Sequence, residues 1–133
     1  MLLNTHTYYS LRYGTFSEKE LLQLAQDKGY QSIVLTDINN TSACLNFIRL
    51  APKYQIKPLV GIDFRNGAQQ KFVGVAKNNN GFKNLNTYLS YHSHHKKGFP
   101  DQAPLMDDVF FIYPFEEVLL LDKVNFRTNE CIG

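Results

Sequence analysis

Ser32-Ile33-Val34-Leu35-Thr36, followed directly by Asp37-Ile38-Asn39-Asn40, is the most telling stretch of this chain. The first five residues are a compact β-branched run between turn residues, with no polar alternation, as in a parallel strand buried on both faces. Thr-Asp ahead of Asn-Asn is turn chemistry. A helical pattern follows almost at once, with Thr41 or Ser42 as cap and Ala43, Leu45, Phe47, Ile48, Leu50 and Ala51 on its buried side. Lys53 and Tyr54 fall near its end, where Pro52 removes a backbone donor and kinks or stops the helix.

The same alternation of strand and helix extends outward from this unit. Upstream, Ser17 reads as an N-cap with Glu20 at N3, Leu21, Leu22, Leu24 and Ala25 as the apolar face, and Gly29 as the C-terminal stop. Residues 1–4 read as a short strand and residues 5–14 as a loop. Downstream, residues 57–64 (KPLVGIDF) and 71–76 (KFVGVA) are strands joined through Arg65, Asn66 and Gly67, a pairing that suggests a hairpin. Phe82, Leu85, Tyr88 and Leu89 keep a helical spacing, residues 96–104 are a polar loop, and residues 108–115 (DVFFIYPF) are a late strand. This order predicts an α/β fold with a mainly parallel sheet or a barrel, whose chemistry gathers at the carboxyl ends of the strands. Those ends are residues 4–14, 37–40 and 63–65.

Composition narrows the function classes. A length of 133 residues fits one domain or part of one, and 44% hydrophobic with 20% charged residues is the balance of a folded protein rather than a disordered one. The net charge is +2 and the basic residues are dispersed, so no nucleic-acid stripe announces itself. Two cysteines, Cys44 and Cys131, make no disulfide framework, which favours a reducing compartment. The start has no signal-peptide pattern and no apolar run spans a bilayer, so the cytoplasm is the expected location and no membrane partner is expected.

His6, Asp37 and Asp63 are the candidate metal ligands, an imidazole and two carboxylates at the expected strand ends. Each has a plainer reading: a loop histidine bonded to backbone, a turn aspartate, and a partner for Arg65 or the Asn66 turn. His92, His94 and His95 crowd one helix end, but adjacent helical positions point apart, so a solvated polar end is the better reading. Tyr8, Tyr9 and Tyr13 are either base-stacking platforms or local packing, with packing the more usual role. No GxxxxGK[ST], GxSxG or HExxH pattern occurs.

Residues 4–14, NTHTYYSLRYG, resemble the HxHSxYSLxDG opening of the polymerase-and-histidinol-phosphatase (PHP) domain at the amino terminus of bacterial DNA polymerase III alpha subunits. Residues 35–40 (LTDINN) are similar to that family's LTDHGN, residues 56–64 (IKPLVGIDF) to IKPIIGCEF, and residues 79–85 (NNGFKNL) to NxxGYxNL. The resemblance covers roughly the first ninety residues, in order and at the right spacing. It implies a distorted barrel of seven strand-helix units, of which residues 1–133 would be an amino-terminal part that the family domain continues past. In active members the motif histidines, the LxDG aspartate, the TDH histidine and the GxE glutamate hold a metal cluster. Here those positions are Asn4, His6, Tyr13, Ile38 and Asp63, so Asn4, Tyr13 and Ile38 are degenerate and only His6 and Asp63 keep a ligand there.

The expectation is therefore a structural and interaction module with no catalytic residue and no resident cofactor of its own. The resemblance places it in a DNA-copying parent whose magnesium-binding polymerase residues lie elsewhere. The implied partners are the remainder of the alpha chain, an exonuclease subunit, and DNA through the parent. The alternative is a phosphoesterase or pyrophosphatase using zinc, manganese or iron at His6, Asp37 and Asp63. A lesion-tolerant alpha paralogue would share this domain with the main replicase.

Overall fold

In the computed structural model, which describes residues 1–115 and 126–133, Ile33, Val34 and Leu35 are fully buried at the centre of a parallel sheet. Their strand, Ser32–Leu35 (β2), pairs in parallel with Leu2–Thr5 (β1) on one side, Leu2 opposite Ile33 and Thr5 opposite Leu35. On the other side it pairs in parallel with Lys57–Asn66 (β3), from Ser32 opposite Lys57 to Leu35 opposite Val60. A strand with neighbours on both edges and cover on both faces tolerates no polar alternation, which is why its sequence reads as an unbroken apolar run.

These strands belong to the first of two compact units, Met1–Ile62. Glu18–Asp27 (α1) begins in a full capping box: the Ser17 hydroxyl accepts from Glu20 N, and the Glu20 carboxylate accepts from Ser17 N at 2.8 Å. It ends in a Schellman motif, with Gly29 at φ 73°, Gly29 N bonded to Gln26 O and Tyr30 N bonded to Ala25 O, both at 2.9 Å. Leu21, Leu22 and Ala25 are buried, but Leu24 is 40% exposed. At 100° per residue Leu24 lies roughly 110° from the centre of the stripe formed by the other three, beyond its edge.

Cys44–Leu50 (α2) departs further from expectation. Neither Thr41 nor Ser42 caps it; Ala43 is the N-cap and gives no side-chain bond. Asn40 organises the approach instead, donating to Ile38 O at 3.0 Å and accepting from Ser42 N at 3.1 Å. The buried stripe is Ala43, Cys44, Phe47 and Ala51, while Leu45 and Ile48 face outward at 73% and 39% exposed. The helix stops at Leu50 and tightens into a 3-10 turn, Ala51–Tyr54, with Pro52 in its first positions. Gln55, left-handed at φ 58°, closes that turn. α1 packs on α2, and Asn46 donates to the buried Glu18 carboxylate at 3.1 Å.

The second unit, Asp63–Gly133, takes the end of β3, then Gln69–Ala76 (β4), Asn79–His94 (α3), Val109–Tyr113 (β5) and Glu130–Ile132 (β6). β4 is next to β3 in strand order, joined through Gly67 at φ 63°, as a hairpin requires. β5 lies antiparallel to β4, Val73 opposite Ile112 through Ala76 opposite Val109, and β6 lies parallel to β5. The α/β expectation with parallel pairing predominant is what the strands show.

Phe64, Phe72 and Phe111 anchor the second core, with ring centroids 5.2 Å and 5.5 Å apart along that series. α3 packs on β4 and β5. Its approach depends on Gly74, where an added Cβ would stand 2.6 Å from a methyl of Leu85. Its start depends on Gly81, whose Cβ would stand 1.9 Å from Asp108 O. One expectation about position is corrected here: β3 continues to Asn66, so Asp63 sits inside the strand rather than at its end. The hairpin with β4 keeps the chain extended beyond the last pairing with β2.

Candidate functional site

Because β1 and β2 are parallel neighbours, their carboxyl ends release side by side the two segments in which site residues are expected. The loop after β1 folds onto the residue that follows β2 by two positions, Asp37. One Asp37 oxygen, Oδ1, accepts from Thr7 N at 2.7 Å and from the Ser10 hydroxyl at 2.6 Å, while Oδ2 accepts from the Thr7 hydroxyl at 2.7 Å. The Ser10 oxygen then accepts from Ile38 N at 2.9 Å, and the Thr7 oxygen from Tyr9 N at 3.3 Å. Thr7 and Asp37 are fully buried and Ser10 is 1% exposed. A buried carboxylate is tolerable only when hydrogen-bonded, and short charge-assisted bonds of this kind are the strong ones.

The loop closes on itself around this carboxylate. Tyr13 N and Gly14 N both donate to Ser10 O, at 3.0 Å and 2.9 Å. A Cβ on Gly14 would stand 1.9 Å from Thr7 O, so the closure admits no side chain there. Asp37 thus acts as a latch that holds residues 7–14 against the end of β2. Neither Thr7 nor Ser10 is among the residues that sequence reading selects for chemistry. The signal was present all the same, because both hydroxyls fall on the Ser positions of the HxHSxYSLxDG pattern.

The remaining expected positions are equally engaged in protein contacts. Asn4 Oδ1 accepts from the Thr36 hydroxyl at 2.7 Å, and Thr36 N donates to Thr5 O at 2.9 Å. His6 is half-buried in the loop, Ile38 is half-buried, and Tyr13 is 49% exposed. In the second unit Asp63 is fully buried, and its Oδ2 accepts from Arg65 Nε at 3.0 Å and from an Arg65 terminal nitrogen at 2.8 Å. Among the described residues, no three His, Cys, Asp or Glu side chains come together as a group that could hold a metal ion. Asp37 is thus engaged by hydroxyl and amide donors, and one oxygen of Asp63 by a guanidinium.

The histidine-rich end of α3 is built from stacking. The His92 ring lies 4.4 Å from Tyr88 and 4.9 Å from Phe99, centroid to centroid, and its Nδ1 meets Gly98 O at 3.1 Å. His95 stacks on Tyr91 at 4.3 Å, with Nδ1 2.8 Å from Tyr91 O. Beside this helix runs a cleft of about 500 Å³ lined by Tyr88, Tyr91, Pro104, Leu105, Met106 and Asp107 among others, a feature without a sequence signal. In the first unit Tyr8 and Tyr9 stack on each other at 4.7 Å, and Tyr9 together with the Glu18 charge pushes the Tyr8 phenol up from its ordinary value.

The family model described as the PHP domain matches residues 3–123. The chain belongs to the PHP domain family. Among curated relatives, this PHP chain is 34% identical over 89 residues to DNA polymerase III subunit alpha of Ureaplasma parvum, covering 67% of this chain and 9% of that protein. It is 26% identical over 125 residues to the same subunit of Vibrio cholerae and 28% over 127 residues to that of Escherichia coli K12. Each of those two alignments covers 90% of this chain and 11% of the relative. The PHP chain therefore spans about a tenth of the length of the curated relatives it matches. Among solved structures, a protein of Bifidobacterium adolescentis assigned as a metal-dependent phosphoesterase matches with a TM-score of 0.53 and 14% identity, over 69% of this chain and 32% of that one. That likeness is one of fold.

Proposed function

We propose that this PHP chain is part of a DNA polymerase III alpha subunit, in which it serves as a structural and docking module rather than as a hydrolytic centre. The observation that carries this reading is the Asp37 latch. The buried hydrogen bonds of the opening motif run from Thr7 and Ser10 to Asp37, while the positions where the resemblance implies metal ligands carry Asn4, Tyr13 and Ile38. His6, Asp37 and Asp63 are then remnants of a site, with no catalytic residue among them.

On this reading the parent copies DNA in the cytoplasm and its magnesium-dependent polymerase residues lie in the rest of the chain. Residues 1–133 would form the opening part of a larger PHP-type barrel. Partners would be the remainder of the alpha subunit and an exonuclease subunit, with DNA reached only through the parent. A main replicase and a lesion-tolerant paralogue would use the domain alike. What supports the reading is that the curated relatives are polymerase alpha subunits, across most of this chain.

The test pairs two assays on the purified chain: co-elution with a recombinant bacterial exonuclease subunit, and phosphate release from a chromogenic phosphate ester in zinc, manganese or iron(II). Co-elution without phosphate release is the expected outcome. Metal-dependent release that disappears in His6→Ala and Asp63→Ala would establish the phosphoesterase alternative instead.

A further inference from the structure

We infer that Arg65 replaces a metal cation as the counter-charge of the buried Asp63, so that this carboxylate is charge-compensated from within its own strand. This deepens the structural-module reading and rests on it only in taking Asp63 as the remnant of a ligand position.

The argument begins with the strand. Asp63 and Arg65 are two residues apart on β3, and alternation puts their side chains on one face while Phe64 points to the aromatic core on the other. The Asp63 side chain has no exposure and that of Arg65 only 12%. An ionised carboxylate at such a position requires either several hydrogen-bond donors, as Asp37 has, or a positive partner, because burying it alone is costly. The family solution is a divalent ion shared among several ligands, and those ligands are gone from Asn4, Tyr13 and Ile38. Here two guanidinium nitrogens, at 3.0 and 2.8 Å, converge on a single Asp63 oxygen. Arginine suits this role: its charge is permanent, its planar fork fixes its orientation, and it is less strongly hydrated than an ammonium.

The spacing has a further consequence. A cation held by distant segments is lost when any of them drifts, whereas a guanidinium two residues along the same strand is supplied by the carboxylate's own local structure. Loss of the other ligands therefore leaves Asp63 neutralised. The fold tolerates the decay of the metal site because the pair at 63 and 65 does not depend on it.

The test is a double-mutant cycle with Asp63→Asn and Arg65→Met on the full chain, read as thermal unfolding in chelator and in zinc or manganese. Metal content is measured after incubation with either ion and removal of the excess. The wild-type chain is expected to retain no stoichiometric metal and to melt at the same temperature in chelator and in metal. Arg65→Met is expected to lower the Tm by on the order of 10 °C, with part of that loss recovered when Asp63→Asn is added. Should Arg65→Met fail to fold, a double variant that still melts cooperatively gives the same result in a stronger form. Stoichiometric metal in the wild type that is lost in Asp63→Asn, or two substitutions whose effects simply add, would overturn the inference. Neither result bears on binding of an exonuclease subunit, so the module reading and this one fail separately.

Discussion

Asp37 is the residue on which the site's geometry depends, and its position explains why one side chain serves two segments that are separate motifs in the sequence. It follows the central strand, where the parallel sheet ends and unpaired amides of the next loop must find acceptors. Three donors from Thr7 and Ser10 converge on it at 2.6 to 2.7 Å, and all of them are buried. Replacing it by alanine leaves those donors without an acceptor in a place water does not reach. Asp37→Ala is expected to destabilise the chain by roughly 3–5 kcal/mol, against about 1–2 kcal/mol for Ser10→Ala, which removes one donor and the acceptor for Ile38 N. Urea unfolding of the two variants at neutral pH checks the ranking; equal losses would mean that the latch is not centred on the carboxylate. The plainer sequence reading of Asp37, a turn residue, was thus right about its neighbours and incomplete about its reach. Turn chemistry is local, but the loop that Asp37 holds comes from thirty residues earlier.

Among the elements, α1 is the one whose ends were fully legible. Its capping box and Schellman stop are set by residues within a few positions of each other, Ser17 with Glu20 and Gly29 with Ala25 and Gln26, so no tertiary contact is needed to predict them. The cap also makes α1 sensitive to acid. The backbone amide of Ser17, and then its hydroxyl, hold the Glu20 carboxyl below its ordinary value. A carboxyl depressed in the folded state contributes stability that is fully present above its unfolded pKa and is lost as pH falls through the folded one. Ser17→Ala should therefore destabilise the chain at neutral pH and lose part of that difference in the acid limb, once pH falls below the ordinary carboxylate range and through the depressed folded value, so that Glu20 is protonated in both forms. Helical circular dichroism from pH 7 to pH 3 would show it, and a difference independent of pH would remove Glu20 from the account. α2 was legible only in outline. Its apolar residues are more numerous than one stripe can hold, and which of them turn inward was settled by packing on α1, leaving Leu45 and Ile48 outside.

Across the whole molecule the two compact units each carry one cysteine, and the pair reports on them separately. Cys44 is fully buried in the first unit, where burial and then the nearby Asp37 charge push its thiol up to about 12, so it stays protonated and unreactive at neutral pH. Cys131, in β6 of the second unit, is exposed. A thiol reagent should modify Cys131 in the native chain and reach Cys44 only when the first unit opens, so labelling through a denaturant titration follows that core by itself. Rapid native labelling of Cys44 would contradict the packing of α2. By itself the sequence determined the class of the fold, the order of its strands and helices from β1 to β5, the caps of α1 and the PHP family, because those are written in short-range patterns and in motifs with fixed spacing. Tertiary structure alone decided that Asp37 latches residues 7–14 and that α2 turns Leu45 outward. It also decided that Asp63 lies within β3 rather than at its end, and, of the partners the sequence offered it, that Arg65 is the one that bonds it. Each of these depends on which polar groups are removed from water and which partners remain within reach, and that is settled only when the chain has packed.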